Sequence, residues 1–388
     1  MKADNGSGLD TSALESVIAS PSAESRRQLA RELAGLTANP ETPGNEREAV
    51  IPSILRLAVD PVLDVRCALA ERLAVAETVH RDIVFTIVAD EDEIALPFLS
   101  LCRALDPTMM LAIVRAGDLA RQMQIALRTD VGTGAVRHIV EKSVLPVCVA
   151  LLDNPVFRLD EKQLRILYAR FGHAPQIVER LLACEDLPLD IRILEARRAA
   201  NRIHQLLAER GWVPANDGAE IVADAEETAV LNILAAAGPE ELERVVRFLT
   251  AKNMLTPSIL MRAACRGEME IVERVLAHLC DMPHARTAQI MYGRGPASLR
   301  AVCKRAGLPP SCFSILRAAI DVERDAREEG YELEAGEFGR RVIEALMTRY
   351  EGLSGPDRAQ QLDIVSRFAE NQVRLIARRL KKDLARAA

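Results

Sequence analysis

His278, Cys280 and His284, with Cys303 and Cys312 downstream, carry the imidazole and thiol groups that bind zinc. Their spacing argues against a metal site. On a continuous helix His278 and Cys280 point about 200° apart, and Pro283 interrupts the chain between Cys280 and His284. The expectation is packed cysteines and partly exposed histidines, with no metal and no cofactor. The remaining cysteines, Cys67, Cys102, Cys148, Cys184 and Cys265, also stand singly among apolar neighbours without a CxxC pair. Such usage reads as reduced, buried thiols in a cytoplasmic protein.

Two glycine-rich stretches, DVGTGAV at 130–136 and YGRGPASL at 292–299, could cradle a phosphate, the second with Arg294 as counter-charge. Neither follows a strand and neither brings a P-loop lysine, so both read as turns between helices. Acid pairs such as Asp90–Glu93 and Glu268–Glu270 fit helix starts, where carboxylates complement the macrodipole. No histidine joins a serine or cysteine in a catalytic motif. Catalytic residues are therefore not assigned, and a non-enzyme is preferred to an enzyme.

The most polarised segment is Pro356–Ala388. Leu362, Val365, Val373, Ile376 and Leu380 follow helical spacing, while Arg374, Arg378, Arg379, Lys381, Lys382 and Arg386 crowd its end. It reads as an amphipathic basic helix. Its apolar stripe would dock on the helix at about 336–350 or on a second copy of the chain. A separate protein partner, anionic lipid and nucleic acid are the alternatives, with Arg374, Arg378, Arg379, Lys381 and Lys382 as the candidate partner-binding residues.

The elements behind these groups follow from composition and periodicity. The 388 residues carry 50 Lys and Arg against 56 Asp and Glu, net −6, so the whole chain lacks the positive excess of a dedicated nucleic-acid binder. No stretch approaches about 18 uncharged apolar residues, and Met1–Ser22 reads as neither a secretory signal nor an anchor. Aromatics at 3% and abundant Ala, Leu, Arg and Glu favour helix throughout. A recurring phrase (DVRCALAERLA, EIALPFLSLC, ARQMQIALRTD, LPVCVALLDN) places the apolar pairs Ala68–Leu69, Phe98–Leu99, Ala126–Leu127 and Ala150–Leu151 in mid-helix at loose spacings of 30, 28 and 24. Short helix pairs that cover one another signal an α-solenoid. Asp60 is expected to cap a helix with Pro61 at its first position, and Asp64 and Arg66 resemble the Asp and Arg that tie successive HEAT repeats together.

The expected order is an unstructured start at 1–22, a HEAT-like domain at 23–210, a linker at 211–228, a smaller helical domain at 229–353 and a tail helix at 354–388. The linker rests on GWVPANDGAEIVADAEET, with Trp212 packing it onto the repeat end. The second domain opens with helices at about 226–236 and 239–252. In the hairpin at 255–283 Thr256 caps, Pro257 starts and Gly267 ends the first helix. That hairpin is spelled like one ankyrin repeat but has no second copy.

The order LAVDPVLDVRCALAERL, VADEDEIALPFL, IVRAGDLARQMQIALR, then FLTAKNMLTPSILMRAACRGEMEIVERVLAHL and AVCKRAGLPPSCFSILRAAI resembles the bacterial domain-of-unknown-function family 2336 over roughly residues 25–325. The resemblance implies an intracellular, helical, HEAT-like protein and brings no activity or catalytic residues. The functional expectation is a non-enzymatic scaffold or adaptor that binds another protein or itself. A nucleic-acid-associated regulator using Arg197, Arg198, Arg202 and the tail, and a ligand sensor or enzyme with an interdomain pocket near Trp212 and Arg294, are the alternatives. Arg66, Pro97, Gln122 and Val147 stand at roughly equivalent repeat positions, so no basic stripe is expected.

Overall fold

The computed structural model describes residues 11–349 apart from 40, 212–214, 294, 331, 332 and 334. Among the described residues every regular element is a helix. Two compact units meet in sequence between Pro188 and Leu189.

The first unit holds α1 (Thr11–Ile18), α2 (Ala23–Ala38), α3 (Gly44–Leu57), α4 (Leu63–Ala74), α5 (Arg81–Val88), α6 (Asp92–Leu101), α7 (Pro107–Ala116), α8 (Leu119–Leu127), α9 (Thr133–Lys142), α10 (Leu145–Asp153), α11 (Glu161–Phe171) and α12 (Pro175–Ala183). Helices this short are marginal alone, so tertiary burial must hold them. Each even-numbered helix packs on the next, α2 on α4 through to α10 on α12, while α3 meets α5, and α7, α9 and α11 follow one another beside them.

The register of the even row is tighter than the sequence spacing implied. Leu73, Leu99, Ile125 and Leu151 stand 26 residues apart and all are fully buried. Each such side chain contributes about 1.5–3 kcal/mol of burial. The apolar pairs picked out by residue type are not all equivalent: Leu127 lies at the end of α8, not in its middle, and is 53% exposed.

Three expectations are corrected here. Residues 11–18 of the supposedly unstructured start form α1, whose half-buried Leu14, Val17 and Ile18 share one face against α2 and α3. Asp60 is not a helix cap. The helix begins at Leu63 after Val62, and Asp60 is buried, accepting from Arg26 Nε at 2.6 Å and from the Val62 N–H at 2.9 Å. The proposed linker 211–228 is helical from Ala215 onward, and the first unit closes before the long helix at 189–209 instead of after it.

The second unit comprises α13 (Leu189–Glu209), α14 (Ala215–Ala235), α15 (Pro239–Ala251), α16 (Pro257–Arg266), α17 (Met269–Leu279), α18 (His284–Met291), α19 (Pro296–Arg305), α20 (Pro310–Glu329) and α21 (Ala335–Arg349). The acid run mistaken for a linker is neutralised in place. Arg262 of α16 pairs with Asp224 and Glu227 of α14, and Arg197 of α13 pairs with Glu226.

Helix α16 is the hub of this unit, touching α14, α17, α20 and α21. Thr256 caps it by accepting from the Ile259 N–H at 3.1 Å, and Gly267 ends it with φ +81°, as its spelling predicts. A Cβ on Gly267 would lie 3.2 Å from the Phe338 ring, so a close approach adds to the conformational need for glycine.

Candidate protein-docking surface

Within the first unit α6, α8 and α10 lie side by side, with α5, α7 and α9 against them. One side of the row therefore remains open. Pro97 and Leu101 of α6, Leu119 and Leu127 of α8, and Pro146 of α10 are exposed, with Met123, Val149 and Leu152 half-buried between them. Residues 119, 123 and 127 share one helix face by their spacing of four. The set also obeys the repeat register. Pro97, Met123 and Val149 are 26 residues apart, as are Leu101 and Leu127, whose next place is taken by Asp153, paired with Arg180, at the end of α10.

Charge is excluded from the middle of this surface. From Ile94 to Leu101 and from Leu145 to Leu152 no residue is ionisable except Cys148, which is buried. The only charged residue of α8, Arg121, turns away to donate to the carbonyl oxygens of Val88 at 2.6 Å and Asp90 at 2.5 Å and to pair with Asp92 and Asp118. Isolated surface leucines are ordinary, but a contiguous apolar area in repeat register marks a contact site.

The two edges of the surface differ. At the helix N-termini Glu91, Asp92, Glu93 and Asp118 are exposed, while the arginines among them, Arg66 and Arg121, are largely buried. Hydrogen bonding from the Arg121 N–H holds the Asp118 carboxyl below the usual range. With Asp118, Asp92 and Glu91 paired to Arg121 and Arg66, the carboxylate that these arginines leave unpaired is Glu93, while Arg115 and Lys142 are exposed just before α8 and α10. At the C-termini Arg103 is exposed just beyond Leu101, while Arg128 and Arg180 are paired. Arg128 donates to the carbonyls of Leu99 and Cys102 and pairs with Asp130, and Arg180 pairs with Asp153 at 2.5 Å.

That C-terminal edge is stitched at repeat spacing. The Arg103 N–H donates to Ala74 O, Arg128 to Leu99 O, and the Asn154 amide to Ala126 O at 3.0 Å and Arg128 O at 2.8 Å. These contacts satisfy carbonyls that a helix end leaves open. At the other edge Arg66 of α4 reaches the turn before α6, bonding Asp90 at 2.8 Å and Glu91 at 3.0 Å, whereas Asp64 is exposed. The ladder fixes the row against which a partner would press.

The sequence-stated candidates lie elsewhere. Arg374, Arg378, Arg379, Lys381 and Lys382 fall outside the described residues, as do Trp212 and Arg294. Cys280 is buried and its Sγ donates to Val302 O at 3.5 Å, while His284 Nε2 stands 2.9 Å from Glu273 Oε2. Burial pushes the Cys303 thiol up to about 11. Among the described residues no three metal-ligating groups converge. A cavity of about 390 Å³ beside His278 and His284 is lined by both signs of charge, including Glu243, Arg274 and Asp281. Gly132 of the first glycine stretch caps α9, and a Cβ there would meet Pro107 at 2.7 Å, so it serves a tight helix junction. Arg197 and Arg198 are engaged by Glu226 and Glu195.

Residue types alone give only the loose spacings of 30, 28 and 24, which do not bring the docking residues into line. Sliding the sequence against itself by 26 puts Pro97, Met123 and Val149 in one column and Leu101 and Leu127 in another. No described helix is long and apolar enough to cross a membrane.

A family model described as an uncharacterised protein conserved in bacteria (DUF2336) matches residues 94–354. Its span begins inside α6 and reaches beyond α21, shifted toward the C-terminus from the stretch marked by the sequence phrases. No curated protein matches the chain. Two crystal structures of engineered proteins from the Northeast Structural Genomics Consortium are similar at 13% and 12% identity. The first covers 94% of this chain and 99% of its own with a TM-score of 0.24, and the second 88% and 98% with 0.17.

Proposed function

This chain belongs to the DUF2336 family of uncharacterised bacterial proteins, and on that premise we propose that it is a non-enzymatic protein-docking module whose first unit is a HEAT-like α-solenoid. The row of even helices in a 26-residue register supports the solenoid reading, as does Arg66 reaching the next repeat. Among the described residues the eight cysteines form no disulfide and six of them are buried, which fits work in a reducing cytoplasm.

One observation carries the docking function: the open side of α6, α8 and α10 presents an uncharged apolar surface in repeat register. Burying it against a partner releases water from apolar area, the main driving force of protein association. A phosphate backbone would find no row of cations across the middle of that surface. The test is affinity purification of the full chain from its native cells beside a Leu101→Asp/Leu127→Asp variant with an unchanged helical spectrum. A stoichiometric protein retained by the wild type and lost by the variant supports the reading. Equal recovery by both, or nuclease-sensitive recovery alone, overturns it.

A further inference from the structure

We infer that the occupant of the α6–α8–α10 surface is an amphipathic helix of a partner protein, bearing an apolar stripe with lysines or arginines along one flank. This rests on the docking function proposed above and goes on to name the chemistry of the partner.

Shape gives the first argument. Adjacent helices in a row lie about 9 Å apart, so the outer axes of three are separated by about 18 Å, the length of about twelve helical residues. A crossing helix then meets the surface at anchors spaced i, i+3, i+4 and i+7. Leu101, Leu127 and Val149 stand one on each helix of the row, and Met123 between them has the flexible thioether that adapts to varied apolar anchors. Other peptide modes do not fit. The described surface has no strand edge to extend, and the only aromatic ring in α6, α8 and α10 is Phe98, which is buried, so no aromatic cradle awaits a proline-rich segment.

Charge gives the second. Glu91, Asp92, Glu93 and Asp118 face solvent along one edge; Arg66 pairs with Glu91 and Arg121 with Asp92 and Asp118, so Glu93 is the carboxylate of the four whose charge no arginine there offsets. Part of that acidity serves the helix N-termini themselves: Asp118 caps α8 by accepting from the Arg121 N–H at 3.0 Å. Glu93 lies in the first turn of α6 and is exposed. Opposite charges around an apolar centre orient a bound helix and select among partners. An acidic edge beside an apolar row therefore selects a basic flank, and it disfavours anionic lipid.

The test uses two fluorescein-labelled synthetic peptides of eighteen residues, about 27 Å of helix. Both carry the same leucine stripe, one with lysine and the other with glutamate at the flanking positions. Binding to the full-length chain is followed by anisotropy, beside Leu127→Asp and Glu93→Lys variants and sedimentation of the chain alone. The expected result is saturable binding of the lysine peptide, about tenfold tighter than the glutamate peptide. Leu127→Asp should weaken it about tenfold or more, and Glu93→Lys should narrow the gap between peptides.

Equal affinity for both peptides, still lost in Leu127→Asp, overturns the basic-helix inference and leaves the docking surface standing. Binding indifferent to Leu127→Asp also overturns it, because the peptide then sits elsewhere. No binding of either peptide, with self-association that Leu127→Asp abolishes, overturns it in favour of a second copy of the chain. No binding without self-association overturns it as well, and the purification experiment above then decides the docking function by itself.

Discussion

Arg26 of α2 closes a two-point ion pair on Asp60 before α4, Nε to Oδ2 at 2.6 Å and Nη2 to Oδ1 at 3.1 Å, with both side chains at least nine-tenths buried. Arg26 also donates to Ser20 O, and Asp60 accepts from the Val62 N–H. The pair thus joins α2 to the turn that launches α4. Removing the carboxylate alone strands a buried cation, and Asp60→Ala is expected to cost about 3–5 kcal/mol. Replacing both partners by Met or Leu should recover most of that loss. Denaturant unfolding of the single and double variants checks the asymmetry.

Acid should weaken the protein through the same group. Burial alone would raise the Asp60 carboxyl, but hydrogen bonds from Arg26 and Val62 outweigh it and hold it below the ordinary carboxylate range. Asp118 and Asp153 are also lowered, by the Arg121 N–H and by Arg180 respectively. A lowered folded-state value means the contribution is complete above the unfolded value, near 4. It is lost as pH falls through the folded value. Thermal midpoints should therefore change little above about pH 5 and fall steadily below it, with a shallower fall in Asp60→Asn.

Two neighbours in α8 should behave oppositely. Ile125 is fully buried and Leu127 is 53% exposed. Ile125→Ala is expected to cost about 3 kcal/mol through lost burial and a residual cavity. Leu127→Ala should stay within about 0.5 kcal/mol. Urea midpoints on the two variants check the 26-residue register directly.

Thiol reactivity should follow burial. The Cys265 thiol is pushed up to about 12 by complete burial, and Cys303 to about 11. Both are expected to resist iodoacetamide at pH 8 while the chain is folded. Cys67 and Cys184, each part-exposed, should react first. Mass mapping over a time course gives the order.

Gly267 should tolerate no side chain cheaply. Its φ of +81° and the Phe338 ring 3.2 Å from a built Cβ combine strain with a close contact. Gly267→Ala is expected to destabilise the second unit by about 1–2 kcal/mol, readable in thermal unfolding.

Much of the helical framework was legible because it depends on local chemistry. Thr256, Pro257 and Gly267 announce α16 by capping alone, and the ends of α15 and α21 follow from apolar periodicity. Long-range electrostatics hid the rest. Asp60 looked like a cap because its partner Arg26 is 34 residues away, and the acids of α14 looked like a linker because Arg262 lies in another helix. The docking surface was hidden for a related reason. Whether Leu127 or Ile125 faces solvent is decided by which helices flank α8, and the residue types are nearly alike.

The central claim is that a protein partner sits on α6, α8 and α10. Its most direct test is a photo-cross-linking residue at Met123, in the middle of that surface, compared with one at exposed Arg137 on α9, both in the full chain in its native cells. The account predicts a discrete protein adduct from position 123 that is absent from position 137 and lost when Leu127→Asp is added. Adducts of equal pattern from both positions, or none from position 123, would contradict it.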